Sequence, residues 1–242
     1  MANCYLDNNI LVDIEQENVS LSDFLSLQGV KYYFSPSHIE ELIEGETINK
    51  LSINKRLELI EALTSNNYIL PGFPNPELNT RSPYQAYQDA KSPFNTMIRN
   101  LTNGAVSNFF FDRDEFLSIV KLKKVEINNI PSQEIVKVLD DILSKYMNTN
   151  IDEILMRTQA VGRAAFGTLF NLLDLACYYK DKQTEHSDIA RLQDASHAYY
   201  AQTCDCFVSQ DKRMRYKSKA VYAYWGIKTQ VLSLSEFKNI TT

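Results

Sequence analysis

The chain has 242 residues, of which 44% are hydrophobic and 23% charged, and its formal net charge is -5. These values sit near globular averages and exclude a fibrous or low-complexity chain. The negative balance also excludes a surface that is basic throughout, so any contact with nucleic acid has to be local. The length suits one large domain, or a domain carrying an insertion. Four cysteines, Cys4, Cys177, Cys204 and Cys206, form no C-x-x-C pair and read as reduced core thiols of a cytosolic (cytoplasmic) protein. The start of the chain shows no basic region followed by an apolar run, so no signal peptide is expected. The most apolar uncharged stretch, 164–173, is well short of the roughly 20 residues a membrane helix needs, and no membrane association is expected.

In chain order, residues 3–7 predict a short buried strand, 20–27 a weak helix and 31–34 ("KYYF") a second strand. Ser35-Pro36-Ser37 opens a helix, because serines cap and proline is favoured in a first turn; "HIEELIEG" carries it to near Gly45. Another helix is expected over 49–64. The composition then shifts: five of the seven prolines lie between Pro71 and Pro93. Residues 66–130 are expected to be an insertion, largely helical or irregular. Within it, "PGFPNPELNTRSP" reads as a surface excursion, while "NFFF" and Phe116 read as packing residues. Ser132–Met147 predicts an amphipathic helix with Ile135, Leu139, Ile142, Leu143 and Tyr146 on one side. Residues 152–179 predict one long apolar helix and 188–202 another. Cys206-Phe207-Val208 predicts a buried strand, Asp211 the cap of a helix over 212–225, and 230–233 a last strand. Short apolar strands alternating with helices imply an α/β fold with a parallel sheet covered on both faces, in one domain over 1–242. In such sheets ligands bind outside the carboxyl ends of the strands.

Four carboxylates sit oddly for surface charge. Asp7 ends the first strand, and Asp211 follows the strand "CFV". Glu41 lies in the apolar frame Ile39, Leu42 and Ile43, and Asp194 among Leu192, Ala195, Ala198 and Ala201. Gathered carboxylates repel one another, and a divalent cation relieves the conflict. Hard oxygen ligands suit Mg²⁺ or Mn²⁺, and the matching reaction is metal-assisted phosphodiester hydrolysis. Each acid also has a plainer reading: Asp7 as a turn cap, Glu41 as a solvated helix residue, Asp194 as a buried acid paired with Arg191 or His197, and Asp211 as a helix cap. The run Lys212, Arg213, Arg215, Lys217 and Lys219 reads either as phosphate contacts or as a solvated helix face. Tyr199, Tyr200, Tyr222 and Tyr224 are either base-stacking platforms or core. His38, three residues before Glu41, and His197, three after Asp194, also admit a carboxylate–histidine metal pair. Cys204 and Cys206 have the form of a zinc half-site, but no second pair has suitable spacing.

The order of these motifs resembles the PIN-domain nucleases. D-x-N follows the first strand (Asp7-Asn8-Asn9), then S-x-x-x-x-x-E-L runs from Ser35 to Glu41-Leu42. D-x-x-x-A-x-x-A lies on a late helix (Asp194, Ala198, Ala201), before Phe207-Val208-Ser209-Gln210-Asp211 and Tyr224-Trp225-Gly226 leading to Thr229-Gln230-Val231-Leu232. The resemblance covers residues 1–65 and 150–240; the stretch between has no counterpart in the compact family core. It implies a PIN-like three-layer, parallel-sheet fold, an acidic pocket for Mg²⁺ or Mn²⁺, and endoribonuclease activity on single-stranded RNA. It implies Asp7, Glu41, Asp194 and Asp211 as the metal-binding, catalytic acids, and Asn9 and Ser209 as polar helpers. Lys212, Arg213 and Arg215 would contact the nucleic acid. Glu40 rivals Glu41, which directly precedes Leu42 as the motif asks; Asp205 rivals Asp211 but stands before its strand. Many relatives are growth-inhibiting toxins or act in defence, so the resemblance admits a protein inhibitor or antitoxin and a homodimer as partners. Two alternatives stay open: an inactive PIN-like module presenting 66–130 to a protein partner, and a DNA nuclease of the same chemistry.

Overall fold

A computed structural model describes residues 2–45, 52–72, 75–92, 118, 127–179 and 187–241. The elements are β1 (Ala2–Leu6), α1 (Asn8–Glu15), α2 (Leu21–Leu25), β2 (Val30–Tyr33), α3 (Pro36–Gly45), α4 (Ser52–Thr64), β3 (Asn67–Leu70), β4 (Glu77–Thr80) and α5 (Pro83–Ala90). They continue with α6 (Ser132–Met147), α7 (Ile151–Arg157), α8 (Arg163–Leu175), α9 (Ser187–Ala201), β5 (Cys206–Val208), α10 (Lys212–Trp225), β6 (Gln230–Leu232) and α11 (Leu234–Thr241). The chain divides into two compact units, one built from 1–101, 200–212 and 228–242, the other from 102–199 and 213–227.

The first unit is α/β. Its four-stranded sheet has the order β2-β1-β5-β6, and each neighbouring pair is parallel. Just past β2, Phe34 makes a parallel bridge to Tyr68: Phe34 N–H donates to Asn67 O at 3.1 Å, and Ile69 N–H to Phe34 O at 2.8 Å. Side chains alternate across the sheet. Cys4, Leu6, Tyr32, Phe34, Cys206 and Val208 join one core with Ile10 and Leu11 of α1, Ile39 and Leu42 of α3, Leu57 and Ile60 of α4, and Phe237 of α11. Each aliphatic side chain buried there stabilises by about 1.5–3 kcal/mol. Tyr5 points to the other side, against Phe207 and His38.

Residues 66–92 of the expected insertion belong to this unit, as the antiparallel hairpin β3–β4 followed by α5. The hairpin's outer strand β4 is exposed throughout, as the proline-rich surface reading expects, but Tyr68, Ala86 and Tyr87 are buried in the core. Residues 93–117 and 119–126, with "NFFF" and Phe116, lie outside the described residues.

Among its described residues the second unit is helical. The single long helix expected over 152–179 is two, α7 and α8, because the backbone turns left-handed between them, at Gln159 (φ 50°) and Gly162 (φ 54°). Glycine tolerates that region; a Cβ at Gly162 would also meet the Tyr199 hydroxyl at 3.3 Å. Phe166 packs edge-on against Tyr199 and Tyr222 and tilted against Trp225. Among the described residues of this unit, a buried acid holds two cations. Asp174 of α8 pairs with Lys217 of α10 at 3.0 Å and with Arg191 of α9 at 3.1 Å. Among the described residues no helix is long and apolar enough to cross a membrane.

Candidate active site

Parallel pairing of β1 with β5 sets Leu6 opposite Val208, so the residues after both strands emerge at one edge. Asp7 N–H still donates to Val208 O at 2.8 Å, which ties the first residue past β1 to the end of β5. Asp7 then leaves the strand with extended backbone (φ -66°, ψ 154°) and caps α1, its Oδ1 accepting from Asn8 N–H at 2.8 Å. The plain cap reading is therefore real, and it does not use the other oxygen. Oδ2 accepts from Asn9 Nδ2 at 2.6 Å and from Ser209 Oγ at 2.6 Å. Asp7 is 5% exposed and Ser209 0%. A carboxylate buried to that degree needs its oxygens hydrogen-bonded.

The two polar helpers are themselves held. Asn9 Nδ2 also donates to Ser209 Oγ at 3.1 Å, and Asn9 Oδ1 accepts from Gln210 N–H at 3.2 Å. Ser209 Oγ accepts from Asp211 N–H at 3.1 Å. The hydroxyl thus donates once and accepts twice, its full capacity. Through it Asp211, at the start of α10, is fixed to the same edge as Asp7. Glu41 of α3 reaches this edge from another direction: its Oε2 accepts from Asn8 Nδ2. The rival acids face elsewhere. Glu40 lies toward Tyr68, whose hydroxyl pKa is pushed up to about 12 chiefly by burial, with the Glu40 charge adding to it. Asp205 Oδ2 accepts from Asn3 N–H at 2.7 Å, before β5 rather than after it.

Beneath Asp7 lies a polar layer of Tyr5, Ser35 and His38, of which the sequence motifs mark Ser35 but not Tyr5. Tyr5 and Ser35 hydroxyls are 2.6 Å apart. Ser35 N–H donates to His38 Nδ1 at 3.1 Å, so the imidazole proton sits on Nε2, which donates to Leu6 O at 2.9 Å. Both ring nitrogens serve the backbone, which overturns a His38–Glu41 metal pair. Burial holds the Tyr5 hydroxyl well above its ordinary pKa.

Other expected residues fall in the second unit. Asp194 is half-buried on α9, and Arg213 and Arg215 are half-buried on α10. Lys212, in the first unit, is exposed directly after Asp211. Lys217 is neither a phosphate contact nor part of a solvated face: it is 0% exposed and bound to Asp174. Arg191, offered as a partner for Asp194, pairs with Asp174 and with Asn171 Oδ1 at 2.9 Å. Tyr199, Tyr200 and Tyr222 are buried, so they are core rather than stacking platforms; the Tyr222 hydroxyl donates to Ala198 O at 2.6 Å.

Among the described residues no group of three or more His, Cys, Asp or Glu side chains is arranged to hold a metal ion. The donors at the edge, carboxylates flanked by amide and hydroxyl groups, are nevertheless of the hard-oxygen kind that suits Mg²⁺ or Mn²⁺. Mg²⁺ is usually held by one or two carboxylates and completed by waters and substrate phosphate, so a full protein cage is not required. Cys204 and Cys206 are buried, and burial pushes the Cys204 thiol up, away from the thiolate that zinc needs. No family model matches the chain, and neither does any curated protein or solved structure.

Proposed function

We propose that this chain is a PIN-type endoribonuclease dependent on Mg²⁺ or Mn²⁺, hydrolysing phosphodiester bonds of single-stranded RNA. The observation that carries the reading is the buried Asp7 carboxylate, set at the end of a central parallel strand and locked by Asn9 and Ser209. Ligand-orienting hydrogen bonds of this kind accompany metal carboxylates. A strand order of β2-β1-β5-β6 extended by the Phe34–Tyr68 bridge suits a three-layer fold of that family.

In this reading Asp7, Glu41 and Asp211, all of the first unit, hold the ion. A bound Mg²⁺ or Mn²⁺ supplies positive charge for the phosphate oxygens and acidifies a water. The chain's own residues do the rest. Asn9 and Ser209 keep Asp7 in one rotamer, so its lone pairs need no reorganisation when substrate arrives. Lys212, exposed beside Asp211, meets a backbone phosphate and positions the strand without reading its bases. The reading carries with it a cytosolic location, and it admits an inhibitor or antitoxin as partner.

The test is cleavage of single-stranded RNA by purified protein with Mg²⁺ or Mn²⁺, with single-stranded DNA run alongside. Asp7→Asn keeps a cap acceptor and abolishes cutting. Unchanged cutting by that variant sinks the assignment. A non-catalytic interaction module would instead neither cut nor melt higher with Mn²⁺.

A further inference from the structure

We propose that Asn8 and Arg56 are positioning residues that set the spacing of Asp7 and Glu41, and with it the protein's affinity for a divalent cation. The inference rests on the metal-dependent reading above and names residues outside its acids and polar helpers.

Asn8 touches both acids. Its backbone N–H donates to Asp7 Oδ1 at 2.8 Å, and its side-chain Nδ2 donates to Glu41 Oε2. It therefore joins the end of β1 to the middle of α3. An amide can turn over, and reversed it would set Oδ1 against the Glu41 carboxylate. Arg56 of α4 prevents this: its Nη1 donates to Asn8 Oδ1 at 2.7 Å. A guanidinium has no acceptor, so it can face only the oxygen end of the amide, which leaves the NH₂ end for Glu41. Arg56 is aimed in turn by Glu15, the last residue of α1, which takes Nε and Nη2 on its two carboxylate oxygens. The Arg56 side chain is 12% exposed, so its guanidinium is largely shielded, while Glu15 stands at the solvent edge.

The line Glu15–Arg56–Asn8–Glu41 crosses three helices of the first unit and ends on an acid. A neutral amide is the right adapter in the middle, since one end meets a cation and the other an anion. Replacing it by an acid would put two carboxylates face to face. Replacing it by an apolar side chain would take one hydrogen bond from Arg56 and one from Glu41.

The experiment measures Mn²⁺ binding to the full chain by calorimetry, with RNA cleavage followed as a function of Mn²⁺ on the same preparations. Asn8→Ala and Arg56→Ala are each expected to weaken Mn²⁺ binding about tenfold or more, the scale of lost ligand-orienting contacts. Rate at saturating Mn²⁺ should change far less. The double variant should be little worse than either single one, because the two act in series. Arg56→Lys, which keeps one donor for Asn8, should recover part of the affinity. Glu15→Gln lies farthest from the acids and should weaken binding in the same direction even if the alanine variants fold poorly. Wild-type Mn²⁺ affinity in Asn8→Ala, or in both Arg56→Lys and Glu15→Gln where Asn8→Ala does not fold, overturns this inference and leaves the nuclease reading intact. A wild-type chain that neither binds Mn²⁺ nor cuts RNA overturns that reading first, and this one with it.

Discussion

Asn9 and Ser209 stand 200 positions apart, yet both donate to the same oxygen of Asp7. At the scale of single residues this triangle decides how the acid is presented. Ser209 is its most constrained corner, because its one hydroxyl serves Asp7, Asn9 and the Asp211 backbone at once. Ser209→Ala is therefore expected to leave a buried acceptor short of a donor and free the start of α10. The expected loss is about 1–3 kcal/mol of stability, read from the urea midpoint, and a 10–100-fold loss of Mn²⁺ affinity. Ser209→Thr keeps the hydroxyl and should recover most of the affinity.

At the scale of elements, the helices of the second unit are joined through buried charge as well as apolar contact. Asp174 of α8 answers two cations, Lys217 of α10 and Arg191 of α9. Removing the acid would leave Lys217, which has no solvent exposure, facing a second positive group. Asp174→Ala is expected to cost about 3–5 kcal/mol, as breaking a buried pair from one side does. Lys217→Met should cost less, because Asp174 retains Arg191 and a methionine fills the space. Chemical denaturation of both variants checks the order; equal losses would mean that the carboxylate is not the centre of the group.

At the scale of the whole molecule, several protons held in the first unit's core link stability to pH. Burial raises the Cys4 and Cys204 thiols above their ordinary value of 9.0 and the Tyr5 hydroxyl above 10.0. Folded, these groups keep protons that the unfolded chain gives up, so the folded state binds more protons and stability falls as pH rises. The contribution is fully present below about pH 8 and is lost progressively from about pH 9 upward. Urea midpoints at pH 7.5 and 10.5 should differ in that direction. The same burial predicts that thiol reagents label Cys4 and Cys204 only after unfolding.

Much of the first unit's framework is legible along the chain. The apolar triplets of β1 and β5, the Ser-Pro-Ser start of α3 and the acid after each strand are signals that act within a few residues, through side-chain alternation and capping. They locate Asp7, Glu41 and Asp211 on elements whose ends can carry chemistry. The break between α7 and α8 shows the limit of such signals: one glycine in an apolar run is tolerated in many helices, and only the left-handed backbone at Gly162 makes it a boundary. Lys217 shows another, since its place in a basic run says nothing of a carboxylate 43 positions away. Asn8 and Arg56 were unreadable for the same reason, their partners lying 33 to 48 positions off in the chain. Local sequence thus determined which residues end strands and start helices. Only the folding of the sheet, with β5 beside β1 and α3 and α4 brought over their edge, decided which side chains meet, because strand order and helix placement are set by burial summed over the whole core and not by any short stretch of it.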